Sequence, residues 1–312
     1  RYTAGIQHTT RAMLIRILGT AAGGGLPQWN CACQLCEAAR CGGAEVPPRT
    51  QDCLAISGDG QGWYLVNASP DIRAQILATP ALKPGPGPRE TPIRGVLLTD
   101  AELDHTIGLL MLREGAALEV FGSEAVLGAL RHDLPVREIL DPYGQWSWAQ
   151  VTPGETFDLD DVRILVTPFA VGDKRPRYAA GSHSAGQWVL AYRFHDVATG
   201  GVLVYAPCVA SWPAGFDELI MDAGCRLLDG TFWTGAEMRG AIGHHAPAES
   251  MGHLPIDGPD GSLGALLRHP AVLRRYTHLN NTNPVTDAHS PERAALRAQG
   301  IDVAGDGTDL EL

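Results

Sequence analysis

Three cysteines fall within six residues at Cys31-Ala-Cys33-Gln-Leu-Cys36, inside a glycine-rich stretch. Thiolates at that spacing can close on one tetrahedral zinc ion, which then needs a single ligand from elsewhere in the fold. Cys41 is nearest in sequence, whereas Asn281 and His253 are distant candidates that would close a longer loop and stabilise the fold more. A second group is Asp100-Ala-Glu102-Leu-Asp104-His105, between the strand-like GVLLT and the apolar IGLLML. Acids and a histidine at a strand-to-helix turn can converge on a metal from different directions, and helix capping accounts for one acid at most. The C-terminal half carries His183, His244, His245, His253, His269 and His278. His278 ends a strand-like run and leads into Leu279-Asn280-Asn281-Thr282-Asn283-Pro284, polar residues massed where sites commonly lie. His269, on a helix before a proline, reads as a surface residue, and His244 and His245 read as loop residues. Asp229 closes the run CRLLD, and a carboxylate there can orient a histidine by accepting its ring N–H; His253 is the available partner.

These groups need a scaffold. Alternating or continuous apolar runs predict strands at 13–19, 53–57, 62–68, 95–99, 118–122, 162–169, 188–194, 201–206, 225–230 and 272–279. Helical periodicity marks DIRAQILA, IGLLMLREG, SEAVLGALRHD, PDGSLGALLRH and SPERAALRAQG. Strands, then a helix or two, then the same order again predict an α/β fold with two sheets face to face and helices outside, an αββα sandwich. The proline-rich KPGPGPRETP (83–92) lies between two strands and reads as a surface loop. A single domain over 13–312 is expected, with 1–12 a leader or appended segment without regular structure.

With 35 acidic residues against 24 Lys and Arg, the net charge of -11 repels a phosphate backbone, so nucleic acid is excluded as a partner. No run of eighteen apolar residues is present and residues 1–12 lack the layout of a secretory signal, which argues against membrane insertion and for the cytoplasm. Four of the seven cysteines crowd into eleven residues, a metal-binding spacing in a reducing compartment.

GTAAGGGLPQWNCACQLC, LVNASPDIRAQI, TDAELDHTIGLLMLREG, LLDGTFW, MGHLP and HLNNTNP, in that order from Met13 to Leu312, resemble the PqqB family, which is similar to the metallo-β-lactamase superfamily. The resemblance implies that sandwich, with the site at one edge between the sheets. The superfamily's His-x-His-x-Asp-His motif is matched only by Asp104 and His105, with Asp100 and Glu102 where two histidines would stand. Two carboxylates for two imidazoles imply a harder site that favours iron. His278 matches the last metal histidine, His183 the middle one, and Ala206-Pro207-Cys208 stands where a bridging aspartate would be, which points to one metal rather than two. Asp229 and His253 resemble a proton-donating dyad of related phosphodiesterases and nucleases, and Asn281 falls where enzymes with a three-cysteine insertion take their fourth zinc ligand.

The implied activity belongs to pyrroloquinoline quinone (PQQ) synthesis: an iron-dependent oxygenase that hydroxylates the tyrosine ring of a crosslinked Glu-Tyr intermediate. Asp104, His105 and His278 would hold Fe2+, or Zn2+ in its place, and Cys31, Cys33, Cys36 and Asn281 a structural Zn2+. Glu102 would act as a weaker ligand or base, and Asn280 and Asn283 would orient a peptide-derived precursor passed between pathway proteins. The rival readings are a non-catalytic carrier of the quinone or its precursor towards the periplasm, and a hydrolase using one zinc.

Overall fold

The computed structural model describes residues 12–114, 117–159, 162–244 and 247–312. The segment expected over 1–12 lies outside them save for its last residue, as does His245. Strands β1 (Leu14–Gly19), β2 (Cys53–Ser57), β3 (Trp63–Val66), β4 (Ile93–Leu97), β5 (Leu118–Gly122) and β6 (Trp146–Gln150) lie side by side in chain order. Strands β7 (Phe157–Leu159), β8 (Ile164–Gly172), β9 (Val189–Asp196), β10 (Val202–Ala206), β11 (Cys225–Asp229), β12 (Leu273–Thr277) and β13 (Asp302–Val303) form a second sheet, again in sequential order. The last strand, β14 (Asp309–Glu311), returns to pair antiparallel with β1, so each sheet has seven strands among the described residues.

Both halves follow one plan. Antiparallel pairing runs β1-β2-β3 and β7-β8-β9-β10, and parallel pairing runs β3-β4-β5-β6 and β10-β11-β12-β13. Parallel neighbours need long crossovers, which here carry helices such as Ile72–Leu77, Glu124–His132 and Ser262–Leu267. The central strands are therefore buried on both faces. Ile15, Ile17, Leu54, Ile56, Leu190, Tyr192, Leu203 and Tyr205 pack between the sheets, while their neighbours Leu18, Cys53, Ala55, Ala191 and Val204 belong to the core under the helices. This two-sided burial is why the strands read as near-continuous apolar runs.

The layered αββα sandwich is the expected fold. The differences lie at its margins, where β6, β7, β13 and β14 are short or lie at sheet edges and carry little apolar signal. IGLLML, expected as an α-helix, is a 3-10 stretch, Ile107–Leu112, entered from the four-residue helix Leu103–Thr106. Among the described residues no helix is long and apolar enough to cross a membrane.

Candidate metal centre and its cavity

The site is assembled beyond the C-terminal ends of β4, β10, β11 and β12. After β3, Asn67 adopts a left-handed backbone (φ 67°), and its Oδ1 accepts from Thr99 N–H at 3.0 Å, fixing the chain just past β4. Asp100 then accepts from Glu102 N–H through Oδ1 at 2.9 Å and lies 2.7 Å from His105 Nδ1 through Oδ2. With its Nδ1–H donated to Asp100, His105 turns Nε2, a fully buried atom with no hydrogen-bond partner, to the side away from that carboxylate. His278 sits just past β12 with a left-handed backbone (φ 55°), a strained state for a non-glycine residue that recurs at functional sites. Thr231 Oγ1 donates to Asp229 Oδ1 at 2.7 Å and can then accept from His278 Nδ1–H at 2.8 Å, leaving His278 Nε2 as an acceptor too. That Nε2 lies 3.4 Å from Asp104 Oδ2, which is 3.9 Å from His105 Nε2. Ligand atoms bonded at about 2.0–2.2 Å to one metal stand roughly 3.0–3.6 Å apart, so these three donors fit a metal with slight closure. Gly23 makes room: a Cβ there would lie 3.2 Å from Asp104 Oδ2.

The charges agree with that fit. Burial works against the imidazolium of His105, yet Asp100 and then Asp104 outweigh it and hold the group up to about 10. Burial likewise opposes the charge of Asp104, but His105 and His278 keep its carboxyl well below the usual carboxylate range. Buried negative charge facing two imidazoles is a field that favours a cation. Beside this centre lies a cavity of about 250 Å³, lined in part by Glu102, Lys174, Arg177, Phe232, His253 and Asn280.

His253 Nδ1 is 2.9 Å from Asp229 Oδ2, whose carboxylate also accepts from Val209 N–H at 2.8 Å. Burial raises and His253 lowers the Asp229 carboxyl, with a net shift downwards, so the pair is a fixed carboxylate–imidazole dyad at the cavity wall. Its ring stacks on His278 with centroids 5.2 Å apart.

The cysteine loop is a separate cluster. The Sγ atoms of Cys31, Cys33 and Cys36 lie within 4.8 Å of one another, and the Asn281 side-chain amide faces all three at 3.2, 3.8 and 3.2 Å. Ligands around a tetrahedral zinc are about 3.8 Å apart at sulfur distances, so three thiols and one amide oxygen suit that geometry after rotation of the amide. Cys36 is carried on the helix Gln34–Arg40 and packs with Leu26, Ala39 and Val46 in a small core of its own. Cys41 is exposed and His253 belongs to the other cluster, so among the three candidates Asn281 alone is brought to the thiols.

Comparison with known proteins then places the chain. The profile of the Beta-lactamase superfamily domain matches residues 62–278. The coenzyme PQQ synthesis protein B of Azotobacter vinelandii is 43% identical over 305 residues, covering 96% of this chain and all of that protein. The chain belongs to the PqqB family. The crystal structure of Zn(2+)-bound PqqB from Methylobacterium extorquens superposes with a TM-score of 0.88 at 36% identity, over 96% of this chain and 100% of that one. A diphosphatase of the PhnP family, 21% identical with a TM-score of 0.68 over 96% of this chain and 97% of that one, shares the fold.

Against the superfamily motif, several residues stand elsewhere than the sequence implies. Asp100 does not face the metal position: it is spent on His105 Nδ1. Glu102 is drawn to Lys174, with Oε1 3.0 Å from Nζ. The exchange of two histidines for acids therefore adds no oxygen donors here, and the hardness argument for iron loses its basis. His183 is exposed on the loop after Ala179 and lies outside both the cavity lining and the ligand clusters found among the described residues. Asn283 is fully buried, donating to Gly230 O at 2.7 Å and accepting from Val285 N–H at 3.0 Å, so it holds the loop rather than facing the cavity. Asn280 does line the cavity, with its amide on Thr282 Oγ1 at 2.6 Å. Sequence reasoning missed Thr231 and Lys174. The basic GDKRP after the long β8 is the signal for Lys174; nothing local marks a threonine as the hub of two histidines.

Proposed function

We propose that this chain serves PQQ synthesis as an iron-dependent hydroxylase of the tyrosine ring in a peptide-derived, crosslinked Glu-Tyr precursor. Its relatives' name, coenzyme PQQ synthesis protein B, supports the pathway. The observation that carries the reaction class is the convergence of Asp104 Oδ2 with His105 Nε2 and His278 Nε2, at 3.9 and 3.4 Å, beside a cavity. One carboxylate and two imidazoles with open positions are the protein ligands of non-haem iron oxygenases. Iron(II) bound there would supply the binding and reduction of dioxygen.

The protein's own residues do the rest. Asp100 and Thr231 hold the two imidazoles by their Nδ1–H groups, which fixes the tautomer that offers Nε2. Lys174 and Arg177 present positive charge to the carboxylates of the precursor, and Glu102 and Asn280 its polar counterparts. His253, its Nδ1–H held by Asp229, passes a proton to the oxygen that leaves as water. One oxygen atom enters a ring C–H bond, and the second becomes water with two protons and two electrons from an added reductant. The test is anaerobic loading with Fe(II) or Zn(II), then air, reductant and the synthetic crosslinked dipeptide. The iron form should consume oxygen and yield product bearing one oxygen atom more, and the zinc form should bind without converting. Binding by the iron form with no oxygen added would refute the hydroxylase and leave a carrier; a cleaved product would mean a hydrolase.

A further inference from the structure

Cys208 lies two residues beyond β10, at the position where the superfamily motif has its bridging aspartate. Its Sγ is 3.9 Å from His278 Nε2, and the donor atoms of His105, Cys208 and His278 all lie within 4.8 Å of one another. Two features show that this is more than a buried thiol filling space. Asp229 Oδ2 accepts from the N–H of Val209, which pins the turn after Ala206 and holds the adjacent thiol over the imidazoles. On the other side, His105 Nε2 is buried without any hydrogen-bond partner beside the same thiol. A nitrogen at about 2.1 Å and a sulfur at about 2.3 Å from one tetrahedral metal stand about 3.6 Å apart, close to the separation seen between Cys208 and His278.

We propose that Cys208 is a thiolate ligand of the active-site metal, giving a centre of two imidazoles, one carboxylate and one sulfur. On metal binding the S–H bond breaks, a metal–sulfur bond forms, and the proton leaves to solvent; no electrons move. The sulfur replaces a bridging carboxylate with a soft donor, which biases the centre towards zinc, cobalt or copper. The inference rests on a metal being held by Asp104, His105 and His278, and not on the hydroxylase reaction.

The test loads Co(II) into protein whose cysteine-loop site already holds zinc. One equivalent of Co(II) should bind, with a sulfur-to-cobalt charge-transfer band in the near ultraviolet and a metal–sulfur shell at about 2.3 Å by X-ray absorption. Both signatures should vanish in Cys208→Ser and Cys208→Ala, with loop zinc and circular dichroism unchanged. Co(II) bound without the band, or with the band intact in Cys208→Ala, would overturn the thiolate ligand alone; failure of the wild type to bind any Co(II) would overturn the metal centre as well.

Discussion

Replacing Asn281 by alanine separates two roles that a zinc held by the cysteine loop would have, holding its own loop and clipping distant chain segments together. Cys31, Cys33 and Cys36 are close enough in sequence to keep zinc in the unfolded chain, but Asn281 is 245 residues from Cys36. Closing a loop of that length in the unfolded chain costs about 5–6 kcal/mol of chain entropy. A single neutral amide–zinc bond does not match that cost, so it breaks on unfolding and its full worth counts towards the native state. Asn281→Ala should therefore keep one zinc per chain, with water as fourth ligand, and lose about 2–3 kcal/mol of stability, with the closure cost as ceiling. The assay is denaturant unfolding of wild type and variant, each with zinc and after chelation. Without zinc the two should unfold within about 1 kcal/mol of each other, because the amide then faces only thiols, weak hydrogen-bond partners. Equal stability of the two zinc-bound proteins would refute the clip, and so would an Asn281→Ala protein that has lost its zinc.

Thr231→Val keeps shape but removes the hydroxyl that holds His278 and Asp229, so affinity for the active-site metal should fall about 10–100-fold by chelator competition while loop zinc persists. Lys174→Met frees Glu102 and removes a cation from the cavity; KM for the crosslinked dipeptide should rise about tenfold with metal content unchanged, and an unaltered KM would count against its role. Glu237, whose carboxylate accepts from Trp233 N–H and Thr282 Oγ1, is pushed up by burial to about 7. A raised carboxyl stabilises the fold fully below its ordinary 4.5 and loses that contribution as pH climbs through about 7, so Glu237→Gln should gain about 2–3 kcal/mol on the wild type between pH 5 and pH 8, seen as diverging unfolding midpoints.

How far the sequence could be read follows from how local each feature is. Strands buried on both faces advertise themselves as apolar runs, which is why β2, β3, β5 and β10 are placed almost to the residue, whereas β13 and β14 bury one residue each. The three cysteines are legible because their ligand geometry is set within six residues. Asn281 is one of three open candidates until the family resemblance singles it out, since the approach of residues 31–36 to residue 281 is made by the sandwich and not by any local pattern. His183 shows the opposite failure: a histidine at a plausible point in chain order, on a loop that the fold leaves at the surface. Asn283 fails differently. Its polar side chain signals a site by composition, but the backbone turn it caps uses its hydrogen bonds. The buried acid Asp52, which accepts from Thr277 Oγ1 at 2.5 Å and from the hydroxyl of Tyr205, carries no local signal at all, because its partners come from the opposite sheet.

The changed metal motif has a physical meaning different from the one its letters suggest. Histidine-to-acid exchanges at 100 and 102 would harden a centre only if the acids pointed where the imidazoles had pointed. Asp100 instead turns to the back of His105, where its charge strengthens the remaining imidazole as a donor, and Glu102 is held by Lys174 at the cavity wall. Donors are thus withdrawn rather than replaced, and what faces the metal position is His105, His278 and Asp104, with the Cys208 sulfur close by. Withdrawal leaves too few ligands for two tightly held ions and opens coordination positions towards the cavity, which favours chemistry at one metal with a bound co-substrate over in-line hydrolysis between two. An iron requirement for turnover would then not come from oxygen-rich ligation in this chain. It would come from which metal is supplied and from which one the neighbouring sulfur tolerates, so the metal found in the purified protein and the metal that supports turnover need not be the same.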